Sequence, residues 1–177
     1  YAFETACTAF DLEPEHSLQI GKALQILAGK AGIFGMIGGQ TVDVKESGHR
    51  ISEDVLDFIY RLKTGALIEA SVMVGAVLAG ASDDETAQME NIAAKVGMAF
   101  QIQDDILDVT STTEMLGKPV HSDEKNEKTT YVTLIGLDKA GKEAERLTSE
   151  ALCGLRGLGH ENKFLEALLD WLVYREK

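Results

Sequence analysis

Proline occurs twice in this chain, at Pro14 and Pro119, and cysteine twice, at Cys7 and Cys153. So few prolines leave long stretches uninterrupted, and none of these shows the alternation of a strand; the pattern predicts an all-α fold. The cysteines lie far apart and without metal-ligand spacing, which argues against a disulfide scaffold or a cysteine-held zinc and predicts a reduced, cytoplasmic compartment. Positive charge is also scarce. Lys and Arg number 17 against 29 Asp and Glu, a net charge of −12. Nucleic acid and anionic membrane surfaces are recognised by clustered cations, so neither is an expected partner. Long apolar runs are missing too. The longest uncharged run, "ASVMVGAVLAGAS" at residues 70–82, falls short of the ~20 residues a spanning helix needs, and no stable membrane insertion is expected.

What remains is a 177-residue chain, 45% hydrophobic, the size of a single domain with a core of its own. It starts at Tyr1 without an initiator methionine, in "YAFETACTAF". That stretch resembles the end of an apolar helix, and the expectation is that something upstream is missing.

Helical periodicity divides the rest. After Pro14 one long helix is predicted through "EHSLQIGKALQILAGKAGIFGMIGGQTVDV", loosened by Gly29, Gly32, Gly35, Gly38 and Gly39. Ser52 is placed to cap a second helix, irregular at Lys63, Thr64 and Gly65 and central after that point. Ser82 and Glu85 form a capping-box pattern that opens a third helix reaching about Val109. Residues 110–128, polar and interrupted by Gly117 and Pro119, read as a functional loop. Shorter helices are expected over residues 129–136, 138–155 and 161–175.

The third helix carries "AFQIQDDILDVT". At 100° per residue, Gln101, Asp104, Asp105 and Asp108 share one face with Gly97, Ala94 and Ala93, while Met89, Ile92, Val96, Phe100, Ile106 and Leu107 take the opposite arc. An amphipathic helix with a solvated acidic side is one reading. Two details weigh against it. Asp104 and Asp108 are like charges at i,i+4, costing a few tenths of a kcal/mol, roughly. The face also runs into Ala and Gly, as a surface lining a cavity does. A divalent cation reverses the sign of the repulsion, because carboxylate and phosphate oxygens are the ligands Mg²⁺ prefers, so D-D-x-x-D is a candidate metal–diphosphate site. Its candidate partners are Gln40 and Asp43, on one face of the first long helix, and Lys63, Lys118 and Lys128.

Taken together, "GMIGGQTVD" (35–43), "KTGAL" (63–67), "GMAFQIQDDILD" (97–108), "LGK" (116–118) and "DEKNEKTTY" (123–131) resemble, in order and spacing, the trans-isoprenyl diphosphate synthases, particularly bacterial farnesyl and geranylgeranyl diphosphate synthases. The resemblance runs along essentially the whole chain. It implies an antiparallel helical bundle around a central cavity, with residues 1–177 as the C-terminal portion of one all-α domain that lacks its N-terminal helices. The implied reaction is head-to-tail condensation: an allylic diphosphate ionises, the isopentenyl diphosphate double bond attacks, and a proton is lost. By the same resemblance Asp104, Asp105 and Asp108 hold Mg²⁺; Lys63, Lys118, Lys128 and Gln101 touch the diphosphate; Gln40, Lys63 and Thr64 act near the reacting carbons; and Phe100 helps shape the cavity. A homodimer is implied, paired through the Gly-rich first helix and the apolar second.

The family pattern is incomplete here. Only the second of its two aspartate-rich motifs is present, and the upstream segment that holds isopentenyl diphosphate is absent. Asp83 and Asp84 belong to a helix cap and do not replace the first motif. Val132 stands where the family has proline. The expectation is an enzyme in its full-length form and an inactive piece as written. The other classes kept open are a non-catalytic helical subunit with half of the site, and a terpene cyclase-like enzyme.

Overall fold

A computed structural model of the chain describes residues 1–111 and 128–174. Among these residues every regular element is helical. Short α1 (Ala2–Cys7) and α2 (Ala9–Leu12) lead into α3 (Ser17–Ala31) and α4 (Met36–Lys45). Then come α5 (Glu53–Ile59), a π-helical segment (Tyr60–Gly65) and α6 (Ala66–Leu78). The long α7 (Asp83–Thr110) follows, and α8 (Tyr131–Ile135), α9 (Leu137–Gly157) and α10 (Lys163–Tyr174) close the chain.

The organising element is α7, which packs against α6, α9, α10 and the π-helical segment. It starts where the sequence places it: the Ser82 hydroxyl accepts from the Glu85 amide while the Glu85 carboxylate accepts from the Ser82 amide. One core cluster joins Ala99 and Ile102 of α7 to Leu56, Tyr131 and Ala140, Ala144 and Leu147 of α9. A second joins Ile92 and Val96 to Ala151, Leu155 and Leu169. Ala99, Ala140 and Ala151 are fully buried, so small side chains let α7 and α9 run close together.

The one long helix expected after Pro14 is two helices. The chain breaks between α3 and α4, where a Cβ on Gly35 would lie 1.9 Å from the Lys30 carbonyl oxygen. The stretch Pro14–Lys45 contains a window of mean hydropathy 1.3, apolar enough by composition to cross a membrane. Its longest unbroken helix, however, is the 15-residue α3, against ~20 residues for a span. The inner side of α3 packs on α6.

The irregularity expected at Lys63–Gly65 is the π-helical segment, and close backbone packing accompanies it on both sides. A Cβ on Gly39 of α4 would come within 2.3 Å of the Lys63 amide nitrogen, and one on Gly97 of α7 within 2.9 Å of the Gly65 Cα. Neither backbone can yield without moving the helix turn. Gly39→Ala is therefore expected to destabilise the fold by at least about 1–3 kcal/mol, the scale of core overpacking. Denaturant melts of the two proteins measure it.

Candidate functional site

The π-helical segment, α4, α7 and residues 128–130 enclose a polar cavity of about 340 Å³. A π turn holds more residues than an α turn and is a frequent feature of functional sites. Here it presents Tyr60, Lys63 and Thr64 to the same space. Facing them on α7 are Phe100, Gln101, Asp104 and Asp105. Phe100 thus lines the cavity with Asp104, four residues on, and does not sit on the opposite arc assigned to it; i and i+4 share a helix face.

Across from α7 the lysines are held by one carboxylate. Lys63 Nζ donates to Asp43 Oδ2 at 2.5 Å, and Lys128 Nζ lies 3.5 Å from Asp43 Oδ1. Burial pushes the Asp43 carboxyl up, but Lys63 and Lys128 together outweigh that and hold it below its ordinary value of 3.8. A depressed folded-state pKa contributes stability above the unfolded value and loses it as pH falls through the folded one. The stability difference between the parent and Asp43→Asn should accordingly be constant near neutral pH and shrink once pH drops below 3.8. Urea melts across that range are the check.

The three aspartates of the motif have different surroundings. Asp104 is half-buried on the cavity wall. Asp108 is 3% exposed and outside the cavity's lining. Asp105, 5% exposed, accepts the Tyr60 hydroxyl at 2.8 Å on each carboxylate oxygen and the Tyr131 backbone amide at 2.8 Å on Oδ2. The Tyr131 hydroxyl in turn donates to Asp57, and the rings of Tyr60 and Tyr131 stand 5.9 Å apart. Burial, and then the Asp57 carboxylate, push the Tyr131 phenol well above its ordinary 10, so it stays a neutral donor. The Thr64 hydroxyl donates to Gln101 Oε1 at 2.5 Å. Gln40 is half-buried on α4 outside this cavity's lining, and Lys118 lies outside the described residues.

Beyond Lys63 and Thr64 a second space opens. This groove of about 470 Å³ is lined by Leu67, Ile68 and Val72 of α6, Val96 of α7, and Leu168 and Leu172 of α10. Lys63 and Thr64 line both spaces, so a polar chamber and an apolar groove share one wall.

A family model described as polyprenyl synthetase matches residues 7–167. The chain belongs to the polyprenyl synthetase family. It is 41% identical over 155 residues to the farnesyl diphosphate synthase of Escherichia coli K12, which aligns 85% of this chain with 52% of that protein. It is 36% identical to a heterodimeric geranylgeranyl pyrophosphate synthase large subunit of Arabidopsis thaliana, across 99% of this chain and 48% of that one. The solved structure of a geranyltransferase from Helicobacter pylori complexed with magnesium and isoprenyl diphosphate superposes with a TM-score of 0.75 at 35% identity, covering 89% of this chain and 52% of that one. The chain spans about half the length of these relatives.

Within this polyprenyl synthetase chain, the structure brings Asp43, Lys63, Thr64, Phe100, Gln101, Asp104, Asp105 and Lys128 of the residues singled out in the sequence to the cavity lining, and leaves Gln40 and Asp108 outside it. Sequence reading assigned no role to Tyr60, Tyr131 or Asp57. Tyr60 did carry a signal, since it stands one turn before Lys63 and Thr64 on the same helix. Tyr131 carried none beyond its place in the "DEKNEKTTY" stretch, because its part depends on a backbone amide.

Proposed function

We propose that this chain supplies the allylic diphosphate half of a prenyl diphosphate synthase that condenses isopentenyl diphosphate with an allylic diphosphate to give farnesyl or geranylgeranyl diphosphate. The observation that carries this reading is the shared wall: a prenyl diphosphate has a charged head and a hydrocarbon tail, and Lys63 and Thr64 separate a charged chamber from an apolar groove. Relatives named farnesyl diphosphate synthase and geranylgeranyl pyrophosphate synthase support the same substrates.

The one imidazole among the described lining residues, His49, belongs to the loop after α4, while the motif side of the chamber offers carboxylate oxygens, from Asp104 and Asp105 opposite lysines, a hard set that suits Mg²⁺. Asp104 of the motif would hold it, with Asp105 and Asp108 behind. When bound, the cation neutralises charge that grows on the leaving diphosphate oxygens. Lys63 and Lys128 do the same from the other side. In the resting structure both are engaged by Asp43, so a diphosphate entering the chamber competes with a single carboxylate for two ammonium groups. Lys118, from the segment before Lys128, is assigned to the same diphosphate. As the allylic C–O bond breaks, its electron pair leaves with the diphosphate. The new C–C bond forms from the isopentenyl double bond, and the proton lost from the adjacent carbon goes to the departing diphosphate. Thr64, which donates to Gln101 beside Lys63, is assigned to the reacting end of the tail, and Gln101 to the diphosphate.

The connection between α3 and α4 exposes Ile33 and Phe34, and α4 exposes Ile37; this is the face we assign to homodimer pairing. The activity is tested by incubating the complete polypeptide in which this chain occurs with isopentenyl and allylic diphosphates and Mg²⁺. Linear prenyl diphosphate, abolished by chelation, is the expected product. Cyclised hydrocarbon, or no product, would overturn the reading. The same reading expects residues 1–177 alone to be inactive.

A further inference from the structure

Asp105 ties together two elements other than its own helix. Its carboxylate receives a hydroxyl from the π-helical segment and a backbone amide from the start of α8, and it does so at 5% exposure. These two donors belong to the two elements that bring the lysines to the chamber. Tyr60 precedes Lys63 by one turn, and Tyr131 follows Lys128 by three residues. The return of the chain is fastened further by the Thr129 hydroxyl, which accepts the Ile51 amide at 3.2 Å, and by the Tyr131 hydroxyl on Asp57.

We propose that Asp105 is a positioning residue, a fastener that holds two elements so as to set Lys63 and Lys128 opposite Asp104, while Asp104 is the carboxylate that meets the metal–diphosphate. This rests on the reading of the chamber given above. The physical basis is the cost of the alternative. A buried carboxylate is tolerated when several donors converge on it, and removing it takes away the acceptor that the Tyr60 hydroxyl and the Tyr131 amide share. The fastening needs an acceptor at Oδ2 and a polar atom at Oδ1. An asparagine can meet it, because its carbonyl oxygen can take the Tyr131 amide and the Tyr60 hydroxyl while its amide group fills the other place. At a metal ligand the same exchange keeps one oxygen but removes the negative charge that draws the cation, so binding is weakened there.

The test compares Asp105→Asn, Asp105→Ala, Tyr60→Phe and Asp104→Asn in the complete polypeptide. Two readouts are needed: calorimetric titration of Mg²⁺ with inorganic diphosphate, and hydrogen exchange at the Tyr131 amide. Asp105→Ala should speed exchange at Tyr131 and weaken diphosphate binding about 10- to 100-fold, the range for residues that orient a metal site from behind it. Asp105→Asn should restore both toward the parent, and Tyr60→Phe should fall between. Asp104→Asn should abolish Mg²⁺-dependent binding while leaving Tyr131 exchange unchanged. The proposal is overturned if Asp105→Asn loses binding as completely as Asp104→Asn, or if Asp105→Ala leaves Tyr131 exchange unaltered. A parent that does not bind Mg²⁺–diphosphate would defeat the reading of the chamber, and the exchange arm would still decide the role of Asp105 as a fastener.

Discussion

Asp104→Asn is expected to lower kcat of the complete enzyme by about 10²- to 10³-fold, ~3–4 kcal/mol of lost transition-state stabilisation, the scale of removing one preorganised electrostatic group. Asp104 and Asp105 both line the chamber, but Asp104 is the more exposed of the two, half-buried against 5% for Asp105, and Asp108 is 3% exposed and outside the lining. Asparagine keeps the shape and one oxygen but removes the charge that draws Mg²⁺. KM for the allylic diphosphate should rise as well, because the carboxylate draws the Mg²⁺ that holds the diphosphate before the C–O bond breaks, and kcat falls because the same charge is missing as the leaving group's charge grows. Steady-state kinetics with Mg²⁺ varied should also show that excess metal restores only part of the rate. An unchanged kcat with a normal Mg²⁺ requirement would remove Asp104 from the site.

Lys63→Gln is the second large effect. Lys63 stands on the wall common to the chamber and the groove and pairs with Asp43 at 2.5 Å. An ammonium that contacts the diphosphate attracts it both before and during bond breaking, so part of the loss belongs to substrate binding. We expect KM for the allylic diphosphate to rise about tenfold and kcat to fall about tenfold, together near 10² in kcat/KM, or ~2.7 kcal/mol. The KM for isopentenyl diphosphate should move little. A consequence outside catalysis follows as well: with Lys63 gone, Asp43 keeps only the longer pair to Lys128, and its carboxyl should titrate closer to its ordinary value. If both substrates lost affinity equally, Lys63 would be acting on the fold and not on one diphosphate.

Much of this site was legible from residue spacing, and the illegible part has a physical pattern. The start of α7 was written in Ser82 and Glu85, a local signal that needs no tertiary partner. The Ser52 cap of α5 was equally local; its hydroxyl accepts from Val55 at 3.4 Å. By contrast, the break between α3 and α4 and the π turn at Tyr60–Gly65 were visible only as glycine-rich or irregular stretches. Their form depends on what presses against them: the Lys30 carbonyl beside Gly35, and the backbones at Gly39 and Gly97 on either side of the segment. The three aspartates show the same limit. Their chemistry is identical in the sequence, yet Asp104 is half-buried on the chamber wall while Asp105 and Asp108 are nearly fully buried, and Asp105 meets a hydroxyl from Tyr60 and an amide from Tyr131, far away along the chain. Gln40 fits the family's motif and shares a helix with Asp43, yet α4 turns Asp43 to the chamber and places Gln40 outside its lining.

The apolar residues tell a similar story. The segment after Gly65 was expected to be central, and Ala66, Ala70, Met73 and Val77 are indeed buried. Leu67 and Leu78 on the same helix are exposed, and Leu67 borders the apolar groove. A uniformly apolar helix has no periodic signal to tell a core face from a face lining a groove. Its placement followed from α3 on one side and α7 on the other.

The most direct measurement is calorimetric titration of inorganic diphosphate into the complete polypeptide, with and without Mg²⁺, for the parent and Asp104→Asn. Binding that requires Mg²⁺ in the parent and disappears in Asp104→Asn is the expected result. Binding that is indifferent both to Mg²⁺ and to Asp104 would contradict a metal–diphosphate site at this chamber.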